Sequence, residues 1–205
     1  EIHRQFEKRF SIPIIETMGL TETGAQILSN PLPPEIRKIG SPGIAYGNEI
    51  IVGDEKQNPV ATNEEGEILV RGSNVMQGYL DRPEETAKTI TANGWLRTGD
   101  LGRMDEDGFI FVTGRIKELI IKGGENIAPR EIDEALLEHE AVLEAAAFPR
   151  TCKDYGQRVD ACVCLKKGRN VSENELREFC EGLIGSYKTP DNIYFLDDLP
   201  KGPSG

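Results

Sequence analysis

The chain has 205 residues, 35 of them acidic and 24 basic, for a formal net charge of −11. That excess of carboxylates argues against a protein that coats nucleic acid or lies on an anionic membrane, since no surplus cations exist to neutralise phosphates. Hydrophobic residues make up 38%, with 22 Gly and 12 Pro, a globular rather than low-complexity composition, long enough for one or two domains.

No apolar run approaches the roughly 20 residues of a membrane-spanning helix, so no transmembrane segment is expected. The first residues, Glu1 to Gln5, lack the layout of a signal peptide, and a cytoplasmic location is expected. The chain opens without Met, as if in mid-sequence. Cys152, Cys162, Cys164 and Cys180 lack the paired spacing of a zinc site and read as reduced core thiols, with Cys162 and Cys164 on one strand face.

In chain order, Ile2, Phe6 and Phe10 recur at helical spacing and predict an amphipathic helix. The apolar run 12–17 predicts a short buried strand, and helix plus strand together resemble the tail of an α/β unit. From 31 to 114, β runs at 49–52, 66–71 and 108–113 alternate with turn signals such as Asn93-Gly94. This spacing predicts a small antiparallel β-barrel or sandwich. Pro83-Glu84-Glu85 opens one helix inside it. From Arg115 onward the pattern is β-α-β-β-α-β: strands at 117–121, 142–148, 159–165 and 193–196, a helix from Pro129 with Ile132, Leu136 and Leu137 on one face, and a helix capped by Ser172 carrying Leu176, Phe179 and Leu183. The fold class is therefore mixed α/β and α+β, divided at 1–30, 31–114 and 115–205.

Four segments can carry chemistry. Gly19-Leu20-Thr21-Glu22-Thr23-Gly24 follows a strand; its hydroxyls and carboxylate suit a phosphate with Mg²⁺, although the hexapeptide alone favours a helix N-cap with its first-turn acid. In Trp95-Leu96-Arg97-Thr98-Gly99-Asp100 the acid can accept two hydrogen bonds from a ribose diol, or close an ordinary turn. The run from Gly114 to Pro129 offers the donor fork of Arg115 and a Gly123-Gly124 pair that permits close approach; it also reads as a linker followed by a β-turn. Leu199 to Gly205 is a flexible loop or a frayed terminus. Asp105-Glu106-Asp107-Gly108 reads as a hairpin turn rather than a calcium loop, and His3 and His139 read as solvated helix residues.

Taken in order, and with Gly66-Glu67-Ile68-Leu69-Val70-Arg71-Gly72, Gly78-Tyr79-Leu80 before Pro83, and Gly182 to Pro190, these segments resemble the C-terminal portion of an AMP-forming acyl-CoA synthetase of the adenylate-forming superfamily. The resemblance implies two steps: a carboxylic acid attacks the α-phosphate of ATP to give acyl-AMP and pyrophosphate, and CoA then displaces AMP. It implies that Thr21 holds the nucleotide phosphate and Glu22 ligates Mg²⁺. It places Asp100 and Arg115 at the ribose, with Met18, Gly19 and Val112 beside the nucleotide. Lys117 matches the hinge of a mobile C-terminal domain, and Gly123 and Gly124 match the pantetheine tunnel.

Three features depart from the pattern. The upstream phosphate loop and most of the acid pocket are missing from this sequence. The family's catalytic Lys would follow Gly205, so these residues alone are expected to have negligible adenylation activity. Met18 stands where many members carry an aromatic ring. An adenylation domain that loads a carrier protein, and a non-catalytic nucleotide-binding or interaction module, remain the alternatives.

Overall fold

The computed structural model describes residues 2–202, as two compact units, Glu1–Ile116 and Lys117–Gly205. The fold is mixed α/β.

The first unit opens with helix α1 (Ile2–Phe10), on which the Phe6 and Phe10 rings lie tilted against each other with centroids 4.7 Å apart while remaining exposed. The strand expected at 12–17 is absent; β1 is Thr17–Leu20. The cause is that Ile14 spends its backbone groups on side chains. Its N–H donates to Glu7 Oε1 at 2.7 Å and its carbonyl accepts from Arg37 Nη1 at 2.8 Å, leaving nothing for a ladder. β1 pairs antiparallel with β2 (Ala25–Ser29), and β2 pairs with β3 (Ile44–Ala45).

A second sheet contains β4 (Glu49–Gly53), β5 (Gly66–Arg71), β6 (Leu96–Met104) and β7 (Ile110–Arg115), in that order and antiparallel throughout. Helix α2 (Pro83–Thr89) lies between β5 and β6 in sequence. The expected barrel is corrected here: among the described residues the strands form open sheets of three and four, with no closed barrel. A bridge between Gly43 and Ile110 ties the two together. Gly43 has φ +105°, and a Cβ there would stand 2.0 Å from the Ser29 carbonyl carbon, so the backbones meet only through glycine. Ile27, Leu28, Ile50, Val52, Ile68, Val70, Leu96 and Ile110 form the core.

The second unit has β8 (Ile120–Lys122), β9 (Glu125–Ile127), α3 (Pro129–Leu137), β10 (Val142–Cys152), β11 (Gly156–Leu165), α4 (Glu173–Ile184) and β12 (Asn192–Phe195). β11 pairs antiparallel with β10 and β8 and parallel with β12. The expected 117–121 strand starts late, because Ile116–Glu118 is a 3-10 turn, and β9 adds a strand not foreseen. Ile132, Leu136, Leu176 and Cys180 from the helices cover Val142, Val159, Ala161, Val163 and Ile193 of the sheet. Leu137 and Leu183 are exposed instead of on the buried faces, as the 3.6-residue period places Ala135 and Cys180 inward. Ser172 does cap α4, its Oγ accepting the Glu175 N–H at 3.2 Å.

All four cysteines are free thiols, with Cys164 and Cys180 buried. The two histidines are partly buried rather than standing alone in solvent. His3 packs between Glu7 (3.0 Å) and Glu16 (3.5 Å), and His139 lies past the end of α3, edge-on to Phe179 at 5.0 Å. No helix among the described residues is long and apolar enough to cross a membrane.

Candidate functional site

Thr21, Glu22 and Thr23 form a 3-10 turn between β1 and β2, closed by Gly24 at φ +64°. The buried Thr23 hydroxyl staples this turn, lying 2.9 Å from the carbonyls of both Leu20 and Ala25. Thr21 is exposed and Glu22 half-buried, so the turn presents them outward. Neither a helix N-cap nor a helix follows. Gly19, just before it, lies at a register shift where a Cβ would stand 2.8 Å from Ala25 O.

A strap of residues 74–79, leaving the end of β5, lies along this turn. The Met76 N–H donates to Glu22 O at 2.8 Å, Asn74 Nδ2 to Thr23 O at 3.1 Å, and the Tyr79 hydroxyl to Glu22 Oε1 at 2.7 Å. The Glu22 hydrogen bond also raises the Tyr79 phenol above its ordinary pKa.

Asp100 is 3% exposed and lies within β6, not at a strand end. Its Oδ1 is 2.8 Å from Arg115 Nε, the residue opposite it on β7. The local backbone is irregular on both sides. Thr98, Gly99 and Asp100 stand opposite Ile68 alone on β5, since Arg97 pairs with Leu69 and Leu101 with Glu67; on β7, Thr113 is the extra residue. Such bulges re-aim a side chain. Side chains supply the partners the ladder lacks: Gly99 N–H donates to Glu67 Oε1 at 3.1 Å and Asp100 N–H to Thr98 Oγ1 at 3.0 Å, while Thr98 Oγ1 donates to Ile68 O at 2.8 Å. The nearly buried Glu67 also takes Arg97 Nε at 2.8 Å.

The two clusters share a foundation. Met18 and Leu20, before the turn, and Val112, near the Asp100–Arg115 pair, all pack against the core of the first unit. Glu67, Thr98, Asn74 and Tyr79 were not foreseen as site residues. Glu67, Thr98 and Tyr79 do stand inside segments that carry the resemblance, and Glu67 is an acid inside the apolar run Gly66 to Val70; Asn74 had no such signal.

Lys117 is exposed within the 3-10 turn that begins the second unit. Gly123 and Gly124 are the two-residue turn joining β8 to β9, with φ of +59° and +92°. Two positive φ values are what a tight hairpin of this twist requires. Nothing lies within 4 Å of a Cβ built on Gly124. Gly205, after which a catalytic Lys was expected, lies outside the described residues.

No group of three or more His, Cys, Asp or Glu that could hold a metal exists among the described residues. Glu22 offers one carboxylate. That fits Mg²⁺, which typically takes one or two protein carboxylates and completes its shell with water and substrate phosphates.

Comparison with known proteins shows what the chain is similar to. The family model described as AMP-binding enzyme matches residues 1–80, and the AMP-binding enzyme C-terminal domain matches 131–205. A sulfoacetate–CoA ligase of Cupriavidus necator is 50% identical over 205 residues, covering 100% of this chain and 40% of that protein. An oxalate–CoA ligase of Saccharomyces cerevisiae is 40% identical over 98% of this chain and 37% of its own length. The crystal structure of ATP-bound MatB from Rhodopseudomonas palustris superposes with a TM-score of 0.92 at 34% identity, over 99% of this chain and 40% of that one. The chain thus spans about 40% of the length of the curated relatives it matches. With both family models matched in order, the chain belongs to the AMP-binding, adenylate-forming enzyme family.

Proposed function

We propose that the protein carrying this chain is a carboxylic acid–CoA ligase, converting acid and ATP to acyl-AMP and pyrophosphate, then acyl-AMP and CoA to acyl-CoA and AMP. In this reading 1–30 ends the large domain, 31–114 is its β subdomain, and 115–205 is a C-terminal domain that moves about Lys117 between the steps. The observation that carries it is the common core under the Thr21–Glu22 turn and the Asp100–Arg115 pair, which holds a phosphate-type turn and a diol-type acid on one rigid unit.

Phosphoryl chemistry of this kind needs positioning and charge neutralisation above all. Thr21, exposed on a stapled turn, donates to a phosphate oxygen. Asp100 accepts the two ribose hydroxyls. Its carboxylate is buried while the Arg115 side chain is 48% exposed, so the ribose meets the guanidinium first and reaches Asp100 beside it. Met18 and Val112 give the nucleoside an apolar surface. Glu22 would hold Mg²⁺, which neutralises phosphate charge when bound. Gly123 and Gly124, a hairpin tip without side chains, leave room for the thin pantetheine arm.

The curated relatives named above are CoA ligases, which favours CoA over a carrier protein as acceptor. The test is acid-dependent exchange of pyrophosphate into ATP by the intact protein, followed by thiol consumption when CoA is added. Exchange with loading of a carrier domain and no use of CoA selects the carrier reading. No ATP binding in calorimetry selects a non-catalytic module.

A further inference from the structure

Helix α2 raises a question that core packing does not answer. It has seven residues and none is buried. Its specific link is through Thr86. The Thr86 hydroxyl accepts the Tyr79 N–H at 2.9 Å and donates to Arg82 O at 2.9 Å, and Gly78 runs so close that a Cβ there would stand 2.8 Å from Thr86 Cγ2. The helix is a bracket for Tyr79.

Tyr79 in turn ends the strap that grips the Thr21–Thr23 turn at two carbonyls and one carboxylate oxygen. The ring is 37% exposed, so it fills no core; its polar end is the part placed. Only Oε1 of Glu22 receives this hydroxyl, and Oε2 carries no hydrogen bond among the described residues. A carboxylate on a flexible side chain can otherwise rotate and offer either oxygen or both.

We infer that Tyr79 is a positioning residue for Glu22: its hydroxyl occupies Oε1 and turns the carboxylate so that Oε2 alone faces the divalent cation carried by the ATP phosphates. This rests on the ligase reading above. Binding through one oxygen suits the small, strictly octahedral Mg²⁺ better than the two-oxygen clasp common for Ca²⁺. α2 and the strap therefore tune which cation the turn accepts, without touching the nucleotide.

The experiment uses the intact protein with Tyr79→Phe, Glu22→Gln and the double variant. ATP binding is followed by calorimetry as Mg²⁺ is titrated, beside pyrophosphate exchange. Tyr79→Phe keeps the ring and is expected to raise the Mg²⁺ needed for half-maximal ATP binding about 5- to 10-fold, the net scale of one partly exposed hydrogen bond. Its metal-free ATP affinity and melting temperature are expected to match wild type. In the Glu22→Gln background the Phe substitution is expected to add nothing. An unchanged Mg²⁺ demand in Tyr79→Phe, or the same shift with and without Glu22, overturns the inference while leaving the ligase reading in place. Failure of the wild-type protein to bind ATP at any Mg²⁺ concentration overturns both.

Discussion

The two units solve the same packing problem with different emphases, although the second also buries Lys122, Asp160 and Thr189. In the second, α3 and α4 lie over one face of a five-stranded sheet, and Ile132, Leu136, Leu176 and Cys180 meet the strands with no exposure. In the first, strands, turns and straps do the work, and buried polar side chains such as Thr23, Asn30, Ser41, Glu67 and Asp100 sit among the aliphatics. Apolar burial is tolerant of detail, because it scales with area and has no direction. Buried polar groups demand specific partners. Damage to the second unit should therefore appear first as lost stability, and damage to the first as lost chemistry.

The largest effect should come from the second core. Leu136→Ala is expected to destabilise that unit by about 3–5 kcal/mol, the usual cost of a fully buried Leu. The lone tryptophan, Trp95, lies in the first unit under Arg71 at 4.5 Å, so its fluorescence reports that unit separately. A denaturant series in which circular dichroism shifts and Trp95 does not would uphold the contrast; a joint shift would break it.

Next comes Asp100→Asn. The shape is kept but the charge facing Arg115 is removed, and pyrophosphate exchange by the intact protein is expected to fall about a hundredfold, the loss of one or two charge-assisted hydrogen bonds. Since the Arg115 side chain is half exposed, stability should hardly move. A large fall in melting temperature with normal exchange would reverse the assignment.

A smaller effect is tied to pH. Asp133 on α3 accepts the Ala147 N–H at 2.6 Å, yet burial lifts its carboxyl to about 6 from 3.8. A raised acid favours the protonated native state, so the second unit loses stability as pH climbs from about 4 to about 6 and stays penalised above. Asp133→Asn is expected to regain about 1–2 kcal/mol at pH 8, after allowing for solvent screening, and little at pH 4. Thermal melts at the two pH values decide it; equal gains at both would exclude titration as the cause.

The smallest is Gly123→Ala. A left-handed residue with a Cβ costs about 1–2 kcal/mol, and the methyl would press on Tyr155 and Tyr187 at 3.2 Å. Stability measured by urea denaturation should fall by that amount; no change would mean the hairpin tip rearranges freely.

The second unit was the more legible in sequence. α3 and α4 announce themselves through Pro129 and Ser172 at their starts and aliphatics at helical spacing, and β10 and β11 through the apolar runs at 142–148 and 159–165. Errors there were the 117–121 strand, which gives way to a 3-10 turn and the β8–β9 hairpin, and helix phase, with Leu137 and Leu183 placed inward, one position off the buried stripe. The first unit hid more. The run 12–17 looks like a strand by composition, but the charges of Glu7 and Arg37, distant in sequence, capture its backbone. The motif residues around Thr21 and Asp100 stood out, whereas their supports did not: nothing near Tyr79 in sequence says that its hydroxyl meets Glu22, 57 positions away.

The three residues of β6 that face Ile68 alone carry a lesson about how such a protein can change. They lengthen the strand by an even number, so Leu96 and Met104 on either side keep the same inward sense. Excising a single residue there would send one flank's aliphatics to solvent and its charges inside. Excising two would leave every flanking side chain on its own face and take away only the outpouching that aims Asp100, within an undisturbed sheet.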